Sequence, residues 1–514
     1  MADYDVAVIG AGIAGSVCAN YLVREGKRVL LLEQNHQSGG NMSGFSRKGF
    51  YFDGGDQSFE SLGAVFPILQ DLGVYQKHEW IKARYRMVSK DFDFYIDGID
   101  AVEDALRTAF PAEPGFKPLF AEIREVSRFL GSVCTPWAFP LLHDFGVRRL
   151  APVVPWLPKL KRWSTFAYRE RACSVIRNPE LRHWLTQIGY YRMPYLFFAG
   201  FWHIWSHDYW YPCGGMQSLH RSLMDAFTEA GGEVRFNTRV SRIQGGSSAR
   251  RRAAQLSTAD GNTVSATSFV YAGDYRALVN TLLGPEYFKP ALVSKLNGAR
   301  LTEGLVSVYL GLNLSDQALA DRLGGAHHPF YFPNYDVIFP HRDSPRDVHS
   351  RMWLALNHFG PQSRSAPAGR STLTLQTYSS HAWQQHWNNG GESYPRTAEY
   401  RELKQQVGQE MVTLAENLVP ELKRHIEFMD VGTPLSLKRF TGNAEGSSGG
   451  WCYDDQVSPL FRLPQLNMIR TPLENLYACG HYALWPGGVI SAVQCGRIVA
   501  NLVCGRRALA PLAK

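Results

Sequence analysis

The N-terminal residues carry an apolar pattern that predicts a strand, a helix and a second strand. Residues 5–9 (DVAVI) form a short, apolar and largely β-branched run, which is typical of a buried parallel strand. A glycine-rich turn follows at 10–15 (GAGIAG), and residues 16–25 have the spacing of a helix. Residues 28–32 predict the second strand, which ends at Glu33. The chain therefore begins with a β-α-β unit.

The glycines of this unit are spaced as in dinucleotide-binding turns. Gly10 permits the tight turn, Gly12 lets a pyrophosphate approach the backbone, and Gly15 lets helix and strand pack closely. The N-terminus of the helix would then offer free N–H groups and the positive end of its dipole to the phosphates, and Ile13 and Ala14 of the turn are further candidate contacts. A glycine-rich turn without a ligand is the alternative, which the complete strand-turn-helix-strand pattern disfavours.

The acid that ends the second strand bears on the choice of nucleotide. Glu33 comes 23 residues after Gly10, where a carboxylate accepts hydrogen bonds from ribose hydroxyls and disfavours a 2′-phosphate. No second glycine motif of this kind follows an apolar strand elsewhere in the sequence. The sequence therefore predicts a single dinucleotide site and no separate site for NAD(P).

Segments along the whole chain resemble the large flavoprotein superfamily that includes the amine oxidases and the phytoene desaturases. The resemblance rests on residues 38–41 (SGGN), 49–56 (GFYFDGGD), 211–216 (YPCGGM), 231–240 (GGEVRFNTRV), 475–480 (NLYACG) and 486–489 (PGGV). Residues 439–447 (RFTGNAEGS) are similar to a segment of one branch, which contains the phytoene desaturases, the carotenoid isomerases and the retinol saturases.

The resemblance implies that FAD is the cofactor and that both ends of the chain hold it. Beyond the first glycine turn, the implied contacts are Gly39, Gly40, Asn41, Gly55, Asp56, Val240, Gly480, His481, Gly487, Gly488 and Val489. Asn41 stands where most relatives have Arg, and His481 stands where many have an acid. A helix at 489–503 would direct its N-terminus at the flavin ring and stabilise the negative charge of the reduced form.

Pattern and resemblance together predict an α/β fold of two parts. The first is a discontinuous Rossmann-type FAD-binding domain at 1–75, 211–290 and 465–514. The second is a substrate-binding domain at 76–210 and 291–464, in which a mixed sheet is combined with a helical cap rich in aromatic residues.

The implied activity is oxidoreductase chemistry on a hydrophobic polyene or isoprenoid-like small molecule. Desaturation, saturation and cis–trans isomerisation all stay open, and a quinone or oxygen is expected to accept or donate the electrons. Two other functions also stay open: an FAD-dependent amine oxidase, and a prenyl-binding escort protein of the GDI type without working flavin. The intact glycines and Glu33 argue against the escort protein.

The sequence offers no clear catalytic acid or base. His207 and Asp208, just before the segment that begins at 211, are the candidates, although a purely structural role is commoner for such histidines. His203 and His207 have i, i+4 spacing without a convincing third ligand, so we predict no metal site.

The formal net charge of +8 is concentrated in one stretch. Residues 146–177 carry eight basic side chains and one acid, around a proline-broken apolar run that contains Trp156. This composition predicts peripheral membrane contact through residues 147–163, with a solvated surface loop as the alternative. No uninterrupted apolar run is long enough to span a membrane, and we predict no nucleic-acid partner. The eight cysteines form no CxxC pair, which favours reduced thiols in the cytoplasm.

Overall fold

The structure is a computed structural model that describes most of the chain. The described residues are 2–55, 57–138, 151–165, 167–186, 188–189, 193–245, 252–335, 352–391, 394–452, 466–484 and 487–508. Asp56, residues 147–150 of the predicted membrane segment and Pro486 lie outside them.

Most strands belong to two large sheets. In chain order the strands are β1 (Tyr4–Ile9), β2 (Val29–Leu32), β3 (Gly44–Arg47), β4 (Phe50–Asp53), β5 (Trp80–Lys82), β6 (Tyr85–Ser89), β7 (Asp93–Tyr95), β8 (Trp210–Pro212), β9 (Glu233–Arg235), β10 (Val240–Gly245), β11 (Ala253–Thr258), β12 (Thr263–Tyr271), β13 (Gly304–Leu312), β14 (His328–Phe332), β15 (Leu354–Asn357), β16 (Ser371–Ser379), β17 (Ile426–Gly432) and β18 (Leu476–Ala478). β3 and β4 form a separate hairpin, and β5 pairs with β8.

The first sheet is built around the N-terminal strand. Within the described residues it has seven strands in the order β10-β11-β12-β1-β2-β9, and β18 also pairs with β12. β1 is parallel to both β12 and β2, and β18 is parallel to β12. All four residues of β2 are buried, as expected of a parallel strand covered on both faces.

The second sheet is mixed and has its own core. Its order is β17-β13-β16-β15-β14-β6-β7, in which β14 and β6 are parallel and the other pairs are antiparallel. Side chains of this sheet pack on a long helix, Ala398–Ala415, which buries Leu403, Val407 and Met411 against it.

The longer helices cover the sheets and build the cap. They are α1 (Ile13–Arg24), α2 (Val65–Asp71), α3 (Ile99–Ala109), α4 (Phe116–Val133), α5 (Leu157–Thr165), α6 (Tyr168–Val175), α7 (Pro179–Leu185), α8 (Tyr195–His207), α9 (Met216–Glu229), α10 (Pro290–Gly298), α11 (Asp316–Arg322), α12 (Ala398–Ala415), α13 (Pro434–Thr441) and α14 (Gly488–Val503). The aromatic residues of α8 are largely core: Tyr195, Phe198 and Trp202 are buried, and α8 packs on α4 and α5. No helix in the described part of the chain has the length and apolarity that a membrane crossing needs.

The predicted α/β class is confirmed. Every strand of the first sheet lies in the ranges predicted for the FAD domain, and every strand of the second lies in the substrate-domain ranges, while the domain boundaries themselves stay a prediction. The predicted start of the first helix at Ser16 is too late, because Gly12 is the extended N-cap with φ −68° and ψ 173° and Ile13 is already helical. Similarly, α14 begins at Gly488 and not at Val489.

Candidate functional site

The two ends of the chain meet at one edge of the first sheet. Because β1, β12 and β18 are parallel, they end at the same edge, and the loops after them open into one cleft. The first turn of α14 opens into the same cleft, since Gly488 and Val489 line it together with Gly10 and Gly12. A ligand in this cleft therefore contacts both ends of the chain.

Close packing of α1 on α14 fixes this arrangement. A Cβ on Gly496 of α14 would lie 2.5 Å from the carbonyl oxygen of Ala14 and 3.1 Å from the backbone nitrogen of Cys18. The Cys479 thiol, just after β18, donates to the same Ala14 carbonyl oxygen at 3.8 Å. These contacts hold the N-termini of both helices at one wall of the cleft.

Most of the predicted cofactor residues line this cleft. They are Gly10, Gly12, Ile13, Ala14, Glu33, Gly39, Gly40, Asn41, Val240, Gly480, His481, Gly488 and Val489. Gly15, Gly55 and Gly487 are not among the lining residues, and Asp56 is outside the described ones. Their contacts with a cofactor stay predictions.

The first turn requires glycine for steric reasons. Gly10 has a φ of +98°, and a Cβ there would lie 2.8 Å from the carbonyl oxygen of Ala272. A Cβ on Gly15 would overlap the carbonyl oxygen of Gly10, so α1 could not pack against the turn. Gly12 and Gly40 approach each other across the cleft floor, with 3.9 Å between a Cβ on Gly12 and the Gly40 Cα. The backbone is therefore open to a ligand here, and the first N–H groups of α1 have no partner inside the helix.

Glu33 is held in a fixed orientation. Its Oε2 accepts from the backbone N–H of Ala11 at 2.8 Å, and its Oε1 accepts from the backbone and side-chain amides of Asn35, each at 2.9 Å. A carboxylate offers about four acceptor positions, so the side chain retains capacity for a ligand hydroxyl. The Asn35 side chain also donates to the carbonyl oxygen of Phe440 at 2.8 Å, which joins the β2 loop to α13.

Asn41 acts as a link between segments. Its Nδ2 donates to the carbonyl oxygen of Ser448 at 2.9 Å, and its Oδ1 accepts from the Asn443 side chain at 3.3 Å. An arginine would have brought a positive charge to this wall. The neutral amide instead joins the second glycine pair to the segment at 439–450.

His481, in the loop after β18, has a buried ring nitrogen that faces no partner in the described part of the chain. Its Nε2 is buried without a hydrogen-bond partner among the described residues, and burial lowers the pKa of His481 to about 4. A neutral, unpaired ring nitrogen is costly unless a ligand or water contacts it. The ring therefore suits a polar contact with a bound molecule.

The weak acid/base candidates lie elsewhere. His207 is exposed at the end of α8, and neither it nor Asp208 lines the cleft. The buried Asp208 carboxylate accepts from the backbone N–H groups of Leu62 at 2.7 Å and Ser61 at 3.3 Å, and from the Trp210 indole at 2.7 Å. Burial raises the pKa of Asp208 to about 6. Its acceptor positions are committed to holding this loop, so the position of the pair does not favour a catalytic role.

Sequence reasoning missed several cleft residues. Asp274, in the loop after β12, lines the cleft; its Oδ1 accepts from the backbone N–H of Arg276 at 2.7 Å and its Oδ2 from that of Ala444 at 2.6 Å. Thr441 and Asn443 also line the cleft. The segment at 439–447 supported the family resemblance without being assigned a contact. Its hydrogen bonds to the loops after β2 and β12 arise only in the folded chain.

The donor set fits a flavin nucleotide. One helix N-terminus with an open glycine backbone suits phosphates, and a second suits the ring, whose reduced form carries negative charge. The neutral His481 ring lines the same cleft as the first residues of α14. No group of three or more His, Cys, Asp or Glu side chains in the described ranges could hold a metal ion.

Known proteins similar to this chain agree with that chemistry. Residues 160–504 match the family described as flavin containing amine oxidoreductase, and residues 8–72 match the NAD(P)-binding Rossmann-like domain. The chain is 23% identical to an all-trans-retinol 13,14-reductase from Danio rerio, covering 97% of this chain and 86% of the relative. It is 26% identical to a lycopene-forming phytoene desaturase from Pseudescherichia vulneris, covering 65% and 68%.

The fold also matches solved structures. Cyclohexylamine oxidase from Brevibacterium oxydans superposes with a TM-score of 0.61 at 15% identity, covering 98% of this chain and 99% of that one. At this identity the match concerns the fold alone. The family match, in contrast, covers most of the chain and includes the C-terminal helix that lines the cleft. The chain is therefore a flavin-dependent oxidoreductase of the flavin containing amine oxidoreductase family, in the branch of the phytoene desaturases and retinol saturases.

Proposed function

We propose that this flavoenzyme uses FAD to change the hydrogenation or geometry of a carbon–carbon double bond in a hydrophobic polyene. The observation that carries the proposal is the cleft with a helix N-terminus at each end, in a chain similar over nearly its full length to a retinol reductase. Bound flavin supplies hydride exchange with a carbon atom. The protein supplies orientation and exclusion of water.

FAD is favoured over FMN because the cleft has a separate end for an adenosine. Glu33 follows β2 and lines the cleft with Val240, whereas His481 follows β18, on the far side of β1 and β12, and lines it with Val489. FMN lacks the adenosine and would leave Glu33 and Val240 without a contact. Acid denaturation of the purified protein, followed by chromatography of the released flavin, is expected to give FAD. Release of FMN alone would contradict this assignment.

Four features of the cleft would hold FAD. The N–H groups at the start of α1 would bind the pyrophosphate, and Glu33 would accept from the ribose hydroxyls. The N-terminus of α14 would favour negative charge on the ring, which stabilises the reduced form. His481 Nε2 would accept or donate one hydrogen bond, depending on its tautomer.

The direction of the reaction is tested with both redox forms of the enzyme. Oxidised and reduced enzyme are incubated anaerobically with all-trans-retinol and with phytoene, and the products are separated by chromatography. A product with one double bond fewer indicates saturation, one more indicates desaturation, and an unchanged number with altered geometry indicates isomerisation. Peroxide formation from amines, with no change in polyenes, would favour an amine oxidase instead. A colourless protein that cannot take up FAD would favour the escort function.

We also propose that electrons pass between the flavin and a quinone or oxygen. Glu33 disfavours a 2′-phosphate, and the sequence has no second dinucleotide turn. Reoxidation of the reduced protein is therefore expected to be fast with a soluble quinone or air and slow with NADP⁺, as followed by flavin absorbance. Rapid reoxidation by NADP⁺ alone would contradict this proposal.

We further propose that the described part of the predicted membrane segment docks on an anionic bilayer. Val154 and Leu157 are exposed at 56% and 48%, and Lys159 lies 5.3 Å from the ring of the neighbouring Trp156. Much of the positive charge in the described part of the segment is neutralised locally, since Lys159 and Arg162 both pair with glutamates of α4. The apolar side chains are therefore expected to provide much of the binding, with the remaining cations selecting anionic lipid.

Vesicle co-sedimentation tests this docking. Val154→Asp combined with Leu157→Asp is expected to abolish binding to vesicles with phosphatidylserine. Leu292→Asp, at another exposed apolar residue, is the matched control and should bind like the wild type. Equal binding of the vesicles by all three proteins would show that this surface is not the membrane-docking site.

A further inference from the structure

A carboxyl group lies behind the start of α14. Oε1 of Glu60 is 3.8 Å from the position that a Cβ on Gly488 would take. Gly488 is the first residue of α14 and lines the cleft at the end proposed for the flavin ring. Glu60 itself is not among the lining residues, but its carboxyl lies directly against one of them, Gly488. The sequence alone had not singled it out.

The backbone on both sides of Glu60 is held in place. Phe59 and Trp210 exchange two backbone hydrogen bonds, at 3.1 Å and 2.8 Å. On the other side, Asp208 accepts from the N–H groups of Ser61 and Leu62. This loop therefore presents the Glu60 side chain from a constrained backbone.

The neighbours of Glu60 form a polar group inside an aromatic surrounding. The Tyr209 hydroxyl donates to the Glu60 carboxylate, and Asp208 is the nearby like charge. Burial raises the pKa of Tyr85, and the charge of the nearby Glu60 adds to the rise. The ring of Tyr85 stacks on His328, with 4.8 Å between the centroids.

Ser58 and Glu60 are both neighbours of Tyr85. The Ser58 hydroxyl lies 2.9 Å from His328 Nε2 and 3.3 Å from the Tyr85 hydroxyl. His328 Nδ1 contacts Oδ1 of Asn357 at 2.5 Å. The hydroxyl groups of Ser58 and Tyr85 and the imidazole of His328 are therefore linked by hydrogen bonds near the Glu60 carboxyl.

The surroundings set the proton affinity of Glu60 near neutrality. Burial raises the pKa of Glu60 to about 7, the negative charge of Asp208 adds to the rise, and the Tyr209 hydrogen bond opposes it. Burial lowers the pKa of His328 to about 3, so this ring is neutral and brings no compensating positive charge. A carboxyl of this kind is present in both forms at physiological pH, which suits proton transfer in either direction.

We propose that Glu60 is the acid/base of the reaction and exchanges a proton with the substrate carbon next to the one that exchanges hydride. In saturation, one carbon of the double bond receives a hydride from reduced flavin and the other receives the proton of Glu60, which leaves the carboxylate. In desaturation, the Glu60 carboxylate takes the proton while the hydride goes to oxidised flavin, whose electrons then pass to a quinone or oxygen. The inference rests on the proposed function, and it adds the residue that function lacked.

The test compares Glu60→Gln with a matched control. Gln keeps the size of the side chain and removes its titration. Asp316→Asn is the control, because burial also raises the pKa of Asp316 to about 6, while its helix α11 packs on β16 of the second sheet and contributes no residue to the cleft lining. Flavin content and unfolding temperature of each variant are measured first. Glu60→Asp, which keeps a carboxyl at a shorter reach, serves if the Gln variant fails to fold.

The first readout needs no substrate. The midpoint potential of the bound flavin is measured against pH in the FAD-loaded proteins. In the wild type and in Asp316→Asn, the slope of the midpoint potential against pH is expected to change near pH 7, because an ionised carboxyl beside the ring disfavours reduction of the flavin. In Glu60→Gln this change should be lost, and its potential should be higher than that of the wild type at pH 8 but equal at pH 5. Glu60→Asp should retain a change of slope.

The second readout is turnover of the polyene identified under the proposed function. Glu60→Gln is expected to lose about 10²-fold in kcat with KM little changed, the scale of general acid–base catalysis. A change of slope that persists in Glu60→Gln, or a kcat within twofold of the wild type, would overturn the inference while leaving the proposed function intact. If no protein turns over any polyene, the proposed function fails, and the potential measurement alone decides whether Glu60 titrates beside the flavin.

Discussion

The packing of α14 on α1 gives the sharpest test of how this cofactor cleft is built. We predict that Gly496→Ala weakens flavin binding. The new Cβ would lie 2.5 Å from the Ala14 carbonyl oxygen, well inside the 3.4 Å at which ordinary contact begins, so the helices must move apart by close to an ångström. The neighbouring atoms at Ala14 and Cys18 belong to the backbone, so no side-chain rotation relieves the overlap.

The magnitude follows from the cost of overpacking. An extra methyl group in a close-packed interface costs about 1–3 kcal/mol. The free protein can relax by separating the helices, whereas the bound form needs both N-termini at the cleft, so much of the cost falls on binding. A loss of about 1.4 kcal/mol corresponds to a tenfold weaker dissociation constant. We therefore expect at least about a tenfold weaker affinity for FAD and a lower unfolding temperature of the holoprotein.

The assay is titration of the apoprotein with FAD, followed by flavin fluorescence, together with thermal unfolding of both forms. Gly298→Ala is the matched control, because this glycine also lies in a helix, α10, and a Cβ there has nothing within 4 Å. It should change stability by less than about 0.5 kcal/mol. If Gly496→Ala binds FAD and unfolds like Gly298→Ala, close helix packing does not shape the cleft and the reasoning is refuted.

Three further predictions concern titrating side chains. Glu33→Ala should weaken FAD binding at least about tenfold but leave FMN binding unchanged, because only FAD has the adenosine ribose; equal losses for both flavins would count against the assignment. Asp208→Ala should lower the free energy of unfolding by about 1–3 kcal/mol, since buried donors lose their acceptor, whereas the exposed His207→Ala should leave denaturant unfolding unchanged. Because burial raises the pKa of Glu60 to about 7 from 4.5, the folded state binds its proton more tightly, so this group's contribution to stability falls as pH rises from about 4.5 to 7. The fall is on the order of 3 kcal/mol at most. The free energy of unfolding in urea should therefore differ less between pH 5 and pH 8 in Glu60→Gln than in the wild type. An equal difference in the two proteins would argue against the raised pKa.

The secondary structure and glycine turn at the N-terminus could be predicted from the sequence, because they depend on residues that are neighbours in the chain. The β1-turn-α1-β2 unit follows from apolar runs of strand and helix length, and Gly10 and Gly15 follow from backbone geometry that any side chain would obstruct. The resemblance carried by segments at both ends of the chain predicted which residues would share a cofactor. The error at Ser16 is of the same local kind, since an extended glycine cap and a helical one look alike in a sequence.

Contacts between residues that are distant in the chain could not be predicted from the sequence. Asp208 looked like a catalytic acid, yet its acceptor positions are committed to Ser61 and Leu62, which are distant in the chain. Glu60 carries no motif, and its closeness to Gly488 arises because β18 joins the sheet beside β12 and directs α14 back to the cleft. Proton affinity and access depend on burial and on neighbours brought together by folding, and a one-dimensional pattern of residue types contains neither quantity.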